Sequence, residues 1–309
     1  MHTAKARIVG CLAITFAMAM SGPTAQATYE GETGRIAFGA FQAANRSQAD
    51  IWSVTENGHA LRQLTNAPGH DICPAYSADG KRIAFCSDRT GAYEIWVMDA
   101  NGKHQRQVTS LGTYAVFPDF SPDRRTLVFS AEPVRGANTD LWLVPAAGGA
   151  PRQLTDTPDS LEENPVWSPD GSKVLFVRID ADFAHSQLWT RDMRSGKETQ
   201  LTTDATFKDQ TPDWSPDGSM IAYNADDDIW LMHADGTDQM NLTNSAAVEF
   251  GNAFSPDGTR IAFTGTGGPV PTGQRYVQTI KVDGSDRQVV RPTPGLLQAA
   301  PAWQPLGGR

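Results

Sequence analysis

Six positions in this sequence could bring carboxylates to one point. Asp71, Ala115, Glu162, Asp209, Glu249 and Gln298 each stand three residues ahead of a Pro, or of Asn252 in the fifth case. Four are acidic and a fifth is an amide. Like charges gathered in this way raise one another's pKa unless a cation or hydrogen-bond donors compensate. Such a ring suits a divalent cation with oxygen ligands, such as calcium, or the docking of a basic segment from a protein partner. The alternative role is structural, with each polar side chain bonding the backbone of a neighbouring element or water.

His70 and His185 fall in longer connections, where they could serve as ligands or as a general base. His59, His104 and His233 lie in or beside tight turns, where imidazoles are solvated. Cys73 and Cys86 are the only cysteines beyond residue 27, and they flank Ser77-Ala78-Asp79-Gly80. If Tyr76 pairs with Ile83, Cys73 lies opposite Cys86 and a disulfide is within reach. A register shift of one residue places the two on opposite faces as free thiols. The sequence holds no Gly-x-Ser-x-Gly, Cys-x-x-Cys, His-Glu-x-x-His or EF-hand loop, so the commonest hydrolase and metal signatures are missing.

The elements that must position these residues form a repeat. Arg35-Ile36-Ala37-Phe38 recurs as Arg82 to Phe85, Thr126 to Phe129, Lys173 to Phe176, Met220 to Tyr223 and Arg260 to Phe263, with a period of about 45 residues. Each copy is followed by a strand with Trp at 52, 96, 142, 189 or 230, and in the sixth copy Gln278 takes that place. A short Arg-Gln-Leu-Thr strand comes next. Then comes a strand such as Pro165-Val166-Trp167, closed by Ser168-Pro169-Asp170-Gly171, a tight turn with Pro, Asp and Gly at the corners that favour them. Four short antiparallel strands per unit, six times over, predict an all-β, six-bladed β-propeller. The chain opens at the Ile-Ala-Phe strand and reaches Pro301-Ala302-Trp303, so the C-terminal strand should complete the N-terminal blade. All eight Trp belong to the repeat, as core between blades.

The Pro-x-Trp-Ser-Pro-Asp-Gly signature at Pro165 and Pro212, with Asp-Ile-Trp following, resembles the TolB-type, WD-repeat-like propellers. That resemblance implies a scaffold that binds a protein or peptide. Authentic TolB proteins carry a further N-terminal α/β domain, and with about six residues between Ala27 and Gly34 a bare propeller is expected here. Some related propellers are metal-dependent lyases or lactonases, which keeps a channel-site enzyme as the alternative.

Lys5 and Arg7, then the apolar stretch from Ile8 to Met20, then Ala25-Gln26-Ala27, give the pattern of a cleaved secretory leader over residues 1–27. Residues 28–309 are then expected to form a single propeller domain, a monomer exported to the periplasm or the medium of a bacterium, without a membrane span. The charge of −9 from 26 Lys+Arg and 35 Asp+Glu, with no basic face, argues against nucleic acid as a partner. No organic cofactor is implied. Tight turns segregate to one end of every blade and longer connections to the other, where Arg46, Arg89, Arg135, Arg178 and Arg275 alternate with Asp88, Asp180, Asp182, Asp226 and Asp227. A protein partner would bind at that long-loop face.

Overall fold

The computed structural model describes residues 28–42, 48–203, 210–266, 274–293 and 295–307. The leader expected over residues 1–27, the candidate residue Asp209 and the rim residue Arg46 lie outside them. Among the described residues the chain forms six four-stranded antiparallel sheets. They are the six blades.

In each blade the second strand is buried on both faces, as in Arg82–Ser87, where only the first residue is partly exposed. Ile83, Ala84 and Phe85 are wholly buried because each sheet is covered by a blade on either side. The outermost strands are two or three residues long, for instance Arg62–Gln63 and Arg106–Gln107, which blunts the open edge of every sheet. Blade 1 is built from both ends of the propeller. Glu32–Gln42 pairs with Leu296–Leu306, with Ile36 facing Trp303 and Ala40 facing Gln298. The sequence predicted this closure.

One feature of the inner strands was not legible in advance. Between the acidic position and the following residues each inner strand carries a bulge, as between Ile72 and Ala75, Val116 and Asp119, and Glu163 and Val166. The residue before the Pro, or before Asn252, takes positive φ in all six: Cys73 59°, Phe117 53°, Asn164 52°, Thr211 42°, Gly251 62° and Ala300 55°. Because the same φ occurs ahead of Asn252 as ahead of proline, the bulge and not the proline calls for a left-handed residue there.

The bulge decides the cysteine geometry. Tyr76 faces Ile83 as expected, but beyond the bulge Ile72, not Cys73, faces Cys86. Both cysteines are buried free thiols. The Cys86 thiol lies 3.5 Å from the Ile72 carbonyl. Burial, together with the adjoining Cys86, pushes the Cys73 thiol well above its ordinary range.

Candidate functional site

Pairing across the inner strands puts the proposed ring at equivalent places: Asp71 opposite Ser87, Ala115 opposite Ala131, Glu162 opposite Arg178 and Glu249 opposite Gly265. These are the long-loop ends of the strands, and the tight turns are at the other end. Asp71, Glu162, Glu249 and Gln298 are all buried.

Each of the three described carboxylates meets an arginine of its own blade. Asp71 Oδ2 lies 2.5 Å from Arg89 Nη2. Glu162 Oε1 accepts from Arg178 Nε at 3.0 Å and also from its Nη2. Glu249 Oε1 is 2.6 Å from Arg287 Nη1. The guanidinium planes are held by rings, Arg89 at 4.6 Å from Trp96 and Arg178 at 4.5 Å from Trp189, with Phe263 at 5.1 Å from Arg287. In blade 6, where Gln278 replaces Trp, its Oε1 accepts from Arg287 Nε at 2.8 Å. The same acid–arginine–aromatic stack therefore stands in blades 2, 4 and 6.

Gln298 does a different job in blade 1. Its Oε1 accepts from the Val277 backbone N–H at 2.7 Å and its amide donates to Arg291 O at 3.0 Å, joining blade 1 to blade 6. Burial pushes the Glu162 carboxyl up. Burial also disfavours the Arg178 cation, but its hydrogen bonds to Glu162 and Glu198 outweigh this and raise its pKa. A guanidinium keeps its proton in either case, so Arg178 brings a cation to the Glu162 carboxyl. Each carboxylate thus has a guanidinium on one oxygen, while among the described residues Asp71 Oδ1 and Glu249 Oε2 are buried without a hydrogen-bond partner. Among the described residues no group of three or more His, Cys, Asp and Glu is placed to hold a metal ion.

The two candidate histidines are each set against a carboxylate of the loop face. His70 Nδ1 is 2.9 Å from Asp88 Oδ2, and its backbone N–H donates to Asp88 Oδ1 at 2.6 Å. His185 Nδ1 is 2.7 Å from Asp180 Oδ2 in the neighbourhood of an exposed hairpin. They belong to different blades and do not converge.

The residue that sequence reasoning passed over is Glu163. It stands next to a repeat position and carries no motif, and only strand alternation separates it from Glu162. Desolvation raises its carboxyl to about 7, and its charge is felt by Tyr114 and Cys73. Tyr114 in turn packs edge-on against Tyr93, with ring centroids 6.0 Å apart. Between about pH 4.5 and 7 the folded chain holds a proton at Glu163 that the unfolded chain releases, so this group's contribution to stability falls as pH rises through that window. Glu163→Gln should flatten the loss between pH 5 and pH 8 by about 1–3 kcal/mol. Urea unfolding of both proteins at the two pH values checks it, and parallel slopes would show that Glu163 titrates normally.

Comparison with known proteins agrees with the fold. Curated proteins give no match to the sequence. Among solved structures, TolB from Acinetobacter baumannii superposes with TM-score 0.74 at 21% identity, covering 88% of this chain and 67% of that one. A putative TolB from Agrobacterium tumefaciens gives TM-score 0.64 at 24% identity over 83% of this chain and 88% of that one. An oligogalacturonate lyase in complex with manganese is more distant, at TM-score 0.54 and 16% identity over 84% and 74%. At these identities the likenesses show the architecture alone. The profile of the TolB beta propeller domain matches residues 21–228, more than half of the sequence, and the chain belongs to the TolB beta propeller domain family.

Proposed function

We propose that this chain is an exported scaffold that binds a protein or peptide partner on its long-loop face and catalyses no reaction. The observation that supports this most is the segregation of its connections, to which the two-residue Asp226-Asp227 turn of blade 5, on the loop face where a longer connection was expected, is an exception. Tight turns bonded to their own strands, such as Ser168-Pro169-Asp170-Gly171 with Gly171 N–H donating to Ser168 O at 2.9 Å, occupy one face. The other face carries residues 88–93, 132–139 and 181–185 on a rigid ring, with Val134 65% exposed among them. Variable loops on a rigid frame are where recognition concentrates. Among the described residues no helix is long and apolar enough to cross a membrane.

The second reading, a metal-dependent enzyme at the channel mouth, needs free carboxylates. The arginines beside Asp71, Glu162 and Glu249 compete with a cation for them, which supports the first reading.

Site-specific photocrosslinking in the compartment where the chain resides separates the possibilities. A crosslinker at Val134 or Asp182 on the loop face should give a discrete adduct, while one at Asp235 on the turn face should give none. Adducts confined to the turn face, or a stoichiometric divalent ion that survives dialysis of the purified chain, would refute the proposal.

A further inference from the structure

The first described residues do not lie on the outside of the ring. Thr28 is 2% and Tyr29 6% exposed. The Thr28 hydroxyl is 2.9 Å from Asp213 Oδ2 in the inner strand of blade 5 and 3.0 Å from Phe254 O in that of blade 6. The Tyr29 hydroxyl donates to Phe120 O of blade 3, and its ring joins the apolar cluster of Ala78, Val128 and Trp167. Gly31 N–H then donates to Pro256 O at 3.2 Å, and Glu32 enters blade 1 opposite Leu306. Contacts with blades 3, 5 and 6 within four residues mean that this segment crosses the ring axis at the turn face. It fills the mouth of the channel there.

The channel end it enters is acidic. Asp119 of blade 3 accepts from Trp167 N–H at 2.9 Å, and Asp213 of blade 5 accepts from Phe254 N–H at 2.7 Å, so both stitch one blade to the next. Asp119, Asp213 and the nearby Asp123 are the charges felt by Tyr29. Asp213 is wholly buried, and its Oδ1 has no hydrogen-bond partner. Among the described residues no Lys, Arg or His forms an ion pair with it. A buried carboxylate without a cation is costly, so burial favours the protonated form of Asp213 in this setting.

One cation source lies within reach. The Thr28 backbone nitrogen belongs to the same residue as the Oγ1 that donates to Asp213 Oδ2 at 2.9 Å, so covalent geometry keeps it within a few ångströms of that carboxyl. In the uncleaved chain it is a neutral amide. After cleavage following Ala25-Gln26-Ala27 it becomes an α-amine, with an ordinary pKa of about 7.7–8.0.

We propose that hydrolysis of the Ala27–Thr28 peptide bond is the maturation step, and that the Thr28 α-ammonium it creates pairs with Asp213 and fastens the new chain end inside the channel. The step consumes one water, supplied through an endopeptidase that accepts small residues. The C–N bond breaks, the water's oxygen completes the Ala27 carboxylate, and both its hydrogens pass to the Thr28 nitrogen, which becomes the ammonium. The proposal rests on export of the chain, but not on any partner at the loop face.

The test uses protein exported from its own leader. N-terminal sequencing should return Thr28 as the first residue, and a different start overturns the proposal. The amine is then titrated by NMR after reductive methylation with labelled carbon. Pairing with Asp213 raises its pKa above that of the urea-unfolded chain, whereas burial without a pair lowers it, and an unshifted or lowered value overturns the proposal without need of a variant. Competitive acylation gives the second measurement. The folded wild-type amine should react at least about tenfold more slowly than the unfolded one, which corresponds to one pKa unit. Asp213→Asn should recover most of that factor. Burial alone would slow the wild type and Asp213→Asn alike, and equal protection in the two would also overturn the pairing.

Discussion

Arg178→Ala is expected to remove about 3–5 kcal/mol of stability, the penalty for leaving a buried carboxylate without its cation. Glu162 is fully buried, and both Nε and Nη2 of Arg178 reach it, while Nη2 also meets Glu198 Oε2 at 2.7 Å. The substitution also uncovers the face of Trp189 on which the guanidinium lies. Arg178→Lys keeps the charge but loses the planar fork and the stacking, so an intermediate loss of about 1–2 kcal/mol follows. The double variant Glu162→Gln with Arg178→Met should recover most of the deficit, because it removes the buried charge together with its partner. Urea denaturation of the four proteins at one pH gives the comparison. A loss under about 1 kcal/mol for Arg178→Ala would mean that Glu162 is solvated, and would return it to the pool of candidate ligands.

Trp303→Ala should destabilise the ring by about 3–5 kcal/mol, the range for removing a large aromatic side chain from a core. For a chain of this size that is a fall of about 10 °C in Tm. Trp303 is 1% exposed and faces Ile36 in the strand pair that closes blade 1. Its cluster includes Phe38, Val277 and Ala262, so the indole holds blade 1 against blade 6 as well as closing the ring. Trp303→Phe should lose much less, because the indole Nε1 is buried without an acceptor and its removal leaves no orphaned group. Differential scanning calorimetry on the two variants distinguishes a packing role from a hydrogen-bonding one. Similar losses for Ala and Phe would contradict the packing account.

The sequence showed the six repeats, the strand that closes the ring and the equivalence of the acidic positions, because all three follow from residue types recurring at one spacing. The partners of those acids were not legible. Arg178 stands directly opposite Glu162, Arg89 lies two residues past the residue opposite Asp71, and Arg287 comes from beside the outer strand of blade 6. Three different sequence offsets deliver a guanidinium to one spatial position, so no motif records it. Cys73 failed to face Cys86 for a backbone reason, a left-handed residue before proline that composition does not announce. Thr28 and Tyr29 carry no periodicity at all. Their place in the channel comes from a hydroxyl and a ring matched to groups on three separate blades.

Ring closure also orders the assembly in time. Arg35 N–H bonds the side chain of Gln304 across a separation of 269 residues, whereas the strands within blades 2 to 6 pair over short hairpins. The inner edge of Glu32–Gln42 stays uncovered until Leu296–Leu306, the last strand of the propeller, is in place. Blades 2 to 6 can mature in that interval, and blade 1 cannot. The slowest step in acquiring the native ring is then the final long-range closure, whose entropy has no local contacts to offset it. Until closure, the exposed edge of Glu32–Gln42 is the place where a second chain could pair by mistake.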